Sequence, residues 1–387
     1  MSAPDRSAAR STPSPPLRVG TPGELVAAVP ALIGFHPNES LVVIGTGGAS
    51  GRRIGLTLRV DLPPPEHVIE LAAVVVDSLF ADTPSGAAVI VIADGPEGAP
   101  PAADLVDLVV TRLEAREVDV HTVLWASGTA GGSHWRCYDA CACAGTVPDP
   151  ATTATMAAAV AGGQVVLPDR AALVGRVAPA DPGRIRRREE RLVALLDAAE
   201  EAVDVGAERA AEGGTRSAAG SAGGGLGDSG SGVALLDEAV AEAAAGRLAL
   251  DDDRVVALAT ALGLPDVRRA ALRHCMGPRT RAAEELWAAL TRETPDPEAA
   301  EPAALLAVSA LLRGDGALAN VALERADRAW PGHRFTRTVH SMLARRIRPD
   351  VLLAHLEDWL TDVPGRAGSG RRGRKRNGGR RSSRRAR

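Results

Sequence analysis

The segment from 133 to 150, SHWRCYDACACAGTVPDP, holds the densest group of reactive side chains in the sequence. Cys137, Cys141 and Cys143, together with His134, offer three thiolates and one imidazole, which is a donor set that suits tetrahedral Zn²⁺. Structural zinc sites usually draw on two ligand pairs that are separated in sequence, whereas Cys-x3-Cys-x-Cys crowds three sulfurs into one short turn. We therefore favour ordinary thiols and no metal, and keep the zinc site as the weaker hypothesis.

A second candidate site combines side chains from three segments. His36 precedes a proline, which has no backbone donor and which favours an extended conformation at the residue before it. Its ring could orient toward a carboxylate such as Asp61, or it could simply cap the turn. Asp61 and Asp94 each end a predicted strand, and open α/β sheets bind ligands at the carboxyl ends of their strands. The hypothetical ligand site comprises His36, Asp61, Trp135, Tyr138 and Cys141.

The glycine-rich stretch GTGGASG, residues 45 to 51, invites comparison with a phosphate-binding loop. Such a loop must open a helix, because the helix N-terminus supplies the N–H groups and the positive end of the dipole. Here RRIGLT follows, which is typical of a strand, so we predict a hairpin instead. The sequence contains no metalloprotease His-Glu-x-x-His, no Gly-Lys-Ser/Thr phosphate loop and no serine-nucleophile elbow. Catalytic residues and cofactors are therefore left unassigned.

Charge is distributed unevenly along the chain. Residues 366 to 387 hold 11 of the 45 basic residues and no acidic one, which leaves 34 basic against 48 acidic residues before them. A tail of this kind is typical of a disordered polycation that binds phosphate backbones without reading their sequence, although it could also fold back on the acidic body. The predicted nucleic-acid contacts are Arg371, Arg372, Arg374, Lys375, Arg376, Arg380 and Arg381.

The sequence also indicates in which cellular compartment the protein is expected. No run of 18 or more apolar residues is present, so we expect no membrane span. The N-terminus, MSAPDRSAARSTPSPP, lacks the apolar core of a secretory signal. Four cysteines in 387 residues fit reduced thiols better than a disulfide framework. These features predict a cytoplasmic protein.

The first half of the chain alternates predicted strands with predicted helices, which favours an α/β layer fold whose later strands are parallel. The sequence from Thr21 to Glu24 matches the capping-box pattern and predicts the start of the first helix. We expect Pro30 to interrupt this helix. The predicted strands cover residues 41–44, 54–60, 87–94 and 118–126, and the further predicted helices cover 64–80, 101–117, 151–161, 169–176 and 183–205.

A glycine-rich stretch separates this half from a helical one, since residues 213–232 hold nine glycines. Beyond it, small residues flank a Gly314-Asp315 turn at the spacing of a tetratricopeptide helix-turn-helix unit. Only one such unit is clear, so a helical hairpin inside a small bundle is favoured over a repeat array. The predicted division is a disordered N-terminus at 1–17, an α/β domain at 18–206, a linker at 207–233, a helical domain at 234–362 and a disordered basic tail at 363–387.

Several stretches together resemble a known family: ALIGFHPNESLVVIG, LRVDLP, HWRCYDACACAGTVPDP, AGGQVVLPDRAALVGRVAP and LLRGDGALANVALERADRAWPGHR. The family is the actinobacterial domain of unknown function 4192, and the resemblance runs from about Thr21 to about Asp362 outside the linker. It implies no reaction, substrate or cofactor. Members of the family usually have one or two cysteines in the Trp-Tyr-Cys segment, so Cys137 and Cys143 are a departure from its pattern. Its recurring features fall on Gly34, Phe35, His36, Pro37, Ser40, Arg59, Asp61, Trp135, Tyr138, Cys141, Gly145, Pro148 and Asp149.

These observations favour a non-enzymatic binding or regulatory protein whose helical half contacts a protein partner. The alternative is an enzyme or small-ligand-binding domain with its site at the strand ends of the α/β half. A ligand site requires His36, Asp61 and the segment from Trp135 to Cys141 to converge on one pocket. A partner-binding role requires an exposed apolar groove on the helical half.

Overall fold

The computed structural model describes residues 20–48, 51, 53–96, 100–138, 141, 143–161, 164–211, 229–345 and 349–361. The predicted disordered N-terminus at 1–17, the centre of the predicted linker and the whole basic tail, with its predicted nucleic-acid contacts, lie outside these residues. Within the described part of the chain, no helix is both long and apolar enough to cross a membrane.

A mixed sheet of six strands forms the centre of the first half, in the order β2-β1-β3-β4-β5-β6 among the described residues. β3 and β4 are parallel and every other neighbouring pair is antiparallel. The predicted mixed α/β sheet is thus confirmed, and so is the β1–β2 hairpin. The strands are β1 Ser40–Gly47, β2 Arg53–Asp61, β3 Gly86–Ile92, β4 Asp119–Ala126, β5 His134–Cys137 and β6 Ala144–Thr146.

Helices cover both faces of this sheet. Along each strand successive side chains point to opposite faces, so Val42 and Ile44 pack with the first helix while Leu41 and Val43 pack with the second and third. The helices are α1 Pro22–Ile33, α2 Val68–Leu79, α3 Ala103–Glu114, α4 Ala154–Ala161, α5 Arg170–Gly175 and α6 Pro182–Ala211.

α1 begins as predicted and ends later than predicted. The Thr21 hydroxyl accepts from the Glu24 N–H at 3.3 Å, and the Glu24 carboxylate accepts from the Thr21 N–H at 3.1 Å, which completes the capping box. The expected interruption at Pro30 is wrong, because the helix continues to Ile33. Burial of Val29 and Ile33 offsets the one hydrogen bond that the proline removes. Gly34, at φ 84°, then ends the helix and donates its N–H to the Pro30 carbonyl at 2.8 Å.

The second half of the chain is helical throughout the described residues, as predicted. α6 extends to Ala211 and α7 begins at Ser229, so both ends of the predicted linker are helical. Asp251 caps α8 through a hydrogen bond from the Arg254 N–H at 2.8 Å. The helices are α7 Ser229–Ala244, α8 Asp252–Leu262, α9 Pro265–Met276, α10 Thr280–Glu293, α11 Ala300–Arg313, α12 Gly316–Ala329, α13 Arg334–Ala344 and α14 Pro349–Thr361.

α11 and α12 form the predicted hairpin. Gly314 adopts φ 82° at the end of α11, and the Asp315 carboxylate caps α12 by accepting the Leu318 N–H at 2.9 Å. Every residue of α11 from Ala300 to Ala310 is buried. A helix of a solenoid repeat leaves one face open for binding, whereas α11 is enclosed by its neighbours. The hairpin is therefore the centre of a bundle.

The two halves meet through apolar packing and a few polar contacts. One continuous apolar core runs from the α1 face of the sheet into the helical bundle. Arg170 on α5 contacts Glu324 on α12 at 2.8 Å, and the Ala180 N–H donates to the Arg292 carbonyl at 2.7 Å. Arg188 on α6 is fully buried against α8 and α10. These contacts position the sheet against the bundle.

Candidate functional site

The sheet divides the side chains of the predicted ligand site between its two faces. Trp135 packs on the face that carries α1, and its Nε1 donates to the Thr146 carbonyl at 3.3 Å. Tyr138 packs on the other face, and its hydroxyl donates to the Pro101 carbonyl at 2.5 Å. Burial, and then the negative charge of Asp107, raise the pKa of Tyr138 well above its ordinary value. Tyr138 is therefore a neutral hydrogen-bond donor facing away from Trp135.

His36 joins the corner after α1 to the loop between β4 and β5. Its Nδ1 lies 2.7 Å from the hydroxyl of the buried Thr129, and burial lowers the pKa of His36. Its N–H donates to the Leu167 carbonyl at 3.0 Å, and the Leu167 N–H donates to the Gly34 carbonyl at 2.8 Å. These contacts give the corner a structural role.

Asp61 is paired with an arginine of its own strand. Its carboxylate lies 2.6 Å from Arg59, whose Nε also donates to the Ser40 hydroxyl at 2.9 Å. The guanidinium lies 5.6 Å from the centre of the Phe35 ring, within the range of a cation–π contact. Arg59 on β2 thus contacts both Phe35, which precedes β1, and Ser40, the first residue of β1. Asp61 itself is 75% exposed, and its described partner is Arg59.

Strand direction separates the predicted residues further. The start of β1 and the end of β2 lie at the carboxyl edge of β3, which places His36 and Asp61 at that edge. β5 runs from this edge toward the opposite one, because Ala126 pairs with Trp135 and Leu124 pairs with Cys137. β5 therefore leads away from His36 before the chain reaches Cys141. The ligand site at the strand ends stays a prediction.

The three cysteines of the β5–β6 turn come together. The Sγ atoms of Cys137, Cys141 and Cys143 all lie within 4.8 Å of one another, and the last two residues are exposed. His134 is not part of this group. Side chains alternate along β5, so His134 and Cys137, three positions apart, project to opposite faces of the sheet.

A cleft in the described structure was not predicted. A cleft of about 790 Å³ follows β2 from Gly55 to Val60. α2 forms one wall with Val74 and Ser78, and the helical half forms the other wall. The residues of the helical wall are Leu311, Gly314, Gly316, Ala317, Asn320, His340, Met342, Leu343, Ala344, Pro349 and Leu352.

Polar groups at this cleft have partners within the protein. The Asp82 carboxylate accepts the Leu56 N–H at 3.0 Å, and His340 lies 2.6 Å from Asp327. A smaller cavity of about 280 Å³ adjoins the cleft and shares Leu32 and Ile33 with it. Sequence patterns do not reveal this cleft, because its walls come from segments more than 200 residues apart.

Comparison with known proteins identifies a family. A search of curated proteins and a search of solved structures gave no match. The family model described as domain of unknown function DUF4192 matches residues 22–350, which is most of the chain and includes the sheet and every cleft residue except Leu352. The chain therefore belongs to the DUF4192 family.

Proposed function

We propose that this protein is a non-enzymatic binding module whose cleft between β2 and the helical half receives an extended, apolar peptide segment of a protein partner. The observation that carries the proposal is the position of the cleft, which runs along the outer strand of the sheet and is walled by both halves of the chain. A cleft of about 790 Å³ also falls within the range of about 300–1,000 Å³ that is typical of ligand pockets.

β2 supplies a backbone for recognition. It is an outer strand of the described sheet and pairs with β1 along one edge only. An exposed strand edge presents N–H and C=O groups that can pair with an added strand. Gly55 to Val60 line the cleft, but the Leu56 N–H already donates to Asp82, so the edge open to an added strand runs from Thr57 to Val60. This stretch is about 13 Å long at the usual rise per residue, and a peptide of about four residues would match it.

The walls of the cleft supply apolar contacts. Val74 of α2 is 53% exposed, and Leu311, Met342 and Leu343 of the helical half are half-buried. Side chains of an added strand would alternate between the α2 wall and the helical wall. The proposed partner segment therefore has apolar side chains on both of its faces.

The alternative function, an enzyme or small-ligand domain with a site at the strand ends, has less support. Trp135 and Tyr138 lie on opposite faces of the sheet, and His36 and Asp61 have separate partners. A single pocket that uses all five predicted residues would need a different arrangement of β5.

A charge placed in the cleft wall is expected to weaken peptide binding. Peptides selected from a displayed random library against the full chain should bind Val74→Glu at least about tenfold more weakly, because the carboxylate must be desolvated against an apolar ligand. Ile69→Glu is the matched control, since Ile69 is 66% exposed on the same helix and does not line the cleft. Equal affinities for both variants, measured by calorimetry, would remove the cleft from the proposal.

The basic tail is proposed as an electrostatic accessory in a cytoplasmic setting. Its charge in the sequence supports contact with nucleic acid through phosphates. The full chain should be retained on a column of immobilised DNA at low salt and should elute earlier as salt rises. Deletion of 366–387 is expected to abolish retention, and unchanged retention would reject the contact.

A further inference from the structure

The structure brings three potential metal ligands together in the β5–β6 turn, although their spacing in sequence favoured ordinary thiols. We propose that Cys137, Cys141 and Cys143 bind one thiophilic d¹⁰ metal ion, Zn²⁺ or Cu⁺, through three thiolates, with any remaining coordination position open to solvent. Thiolates are the protein ligands that both ions favour. This site is independent of the cleft, because none of its residues lines that cleft.

The spacing of the sulfur atoms suits a single ion. With a Zn–S distance of about 2.3 Å, sulfurs around a tetrahedral zinc ion lie about 3.8 Å apart. The three Sγ atoms already lie within 4.8 Å of one another, so a contraction of at most about 1 Å would complete the site. Rotation of the exposed Cys141 and Cys143 side chains can supply that movement without a change in the sheet.

The backbone of the turn supports the sulfurs. The Cys137 N–H donates to the Cys143 carbonyl at 2.9 Å and closes the hairpin. The Cys143 N–H points at the Cys141 sulfur at 3.4 Å, and a hydrogen bond of this kind stabilises a metal-bound thiolate. The turn therefore holds the three residues together before an ion arrives.

The electrostatics of the cluster favour a cation. Three thiolates side by side repel one another. A bound cation removes this repulsion and displaces one proton from each thiol. Binding of one ion accordingly releases three protons, and the affinity rises with pH.

Two residues outside the cluster provide controls. His134 is the obvious fourth ligand in the sequence, yet it projects from the other face of β5. Cys275 is buried in the helical half, where burial raises the pKa of its thiol to about 11. Neither should contribute to binding, so His134→Ala and Cys275→Ala are matched to the cysteine variants.

Metal titration of the full chain, reduced and freed of metal, tests the proposal. Competition with a chromophoric chelator, carried out separately for Zn²⁺ and Cu⁺, should show one ion per chain for at least one of them. Each of Cys137→Ser, Cys141→Ser and Cys143→Ser should weaken binding by more than about tenfold, and His134→Ala and Cys275→Ala should not. The affinity should increase between about pH 6 and 8.

Protection from alkylation gives a second measurement that needs no variant. The bound ion should slow the alkylation of Cys137, Cys141 and Cys143 at least about tenfold, as followed by peptide mass spectrometry. Failure of both ions to bind the reduced chain, or equal binding by the cysteine variants, would overturn the proposal. A disulfide within the cluster in chain isolated without reductant, together with no metal binding after reduction, would assign the cluster to redox chemistry and also overturn it.

Discussion

Replacing Arg188 with alanine is expected to lower the free energy of unfolding by about 3–5 kcal/mol, because it removes the buried guanidinium that Asp252 and Glu293 both contact. The Arg188 side chain is 1% exposed. Its Nε donates to Asp252 at 2.8 Å, and its Nη1 donates to the Glu293 carbonyl at 2.7 Å and to the Glu293 carboxylate. This one side chain therefore ties α6 to α8 and α10.

The adjacent Arg187 provides the control for this substitution. Its Nε contacts the same Asp252 at 3.3 Å, but its side chain is 55% exposed. Arg187→Ala should cost less than about 1 kcal/mol, as is usual for surface ion pairs. Urea unfolding of both variants measures the difference without adding salt. Equal losses would contradict the structural role given to Arg188.

The pH dependence of stability follows from the same contact. The hydrogen bond from Arg188 holds the pKa of Asp252 below its ordinary value. The stabilisation is thus present above the pKa of an unfolded aspartate and is lost as the pH falls through the lower, folded value. The Arg188→Ala variant should lack this contribution to acid sensitivity.

Truncation of Leu306 to alanine is expected to destabilise the protein by about 2–5 kcal/mol, since it opens a cavity at the centre of the bundle. Leu306 is fully buried in α11, and its neighbours from Ala300 to Ala310 are buried as well. α11 and α12 also carry part of the helical wall of the cleft. Loss of packing at Leu306 should therefore weaken peptide binding at temperatures near the unfolding transition.

Leu312, six residues later on the same helix, gives the comparison. It is half-buried at the end of α11, so Leu312→Ala should cost roughly half as much as Leu306→Ala or less. Thermal and urea unfolding provide the two values. Similar costs at both positions would indicate that α11 is an outer helix, which would contradict the central position described for it.

Local chemistry made much of the fold predictable. The capping box at Thr21, the cap at Asp251 and the Gly314-Asp315 turn each determine an element boundary through contacts within a few residues. The alternation of strands with helices predicted that the later strands are parallel, and β3 and β4 are parallel in the structure. Signals of this kind depend on neighbouring residues only, so one sequence is sufficient to read them.

Other features depend on tertiary contacts and were missed or mistaken. α1 passes through Pro30 because burial against the sheet outweighs one lost hydrogen bond. β5 and β6, with four and three residues, are too short to show a clear period, and neither was predicted. The addition of these strands to β4 decides which face Trp135 and Tyr138 occupy.

The thiol cluster and the cleft also differ in how far the sequence could predict them. The three thiols lie within seven residues of sequence, so their proximity could be predicted, while the exclusion of His134 required the strand. The cleft joins β2 to α14 across about 300 residues of sequence. No local pattern encodes such a contact, so the site proposed for the partner became visible only in the folded chain.

Hydrogen exchange of the full chain, with and without a library-selected peptide, tests most directly whether the cleft along β2 receives the partner. We expect slower exchange of amides in β2 between Gly55 and Val60 and in the facing helices α2 and α13 when the peptide is bound. Val74→Glu should abolish that protection, and Ile69→Glu should keep it. Protection confined to α7–α10, with β2 unchanged, would contradict the cleft as the binding site.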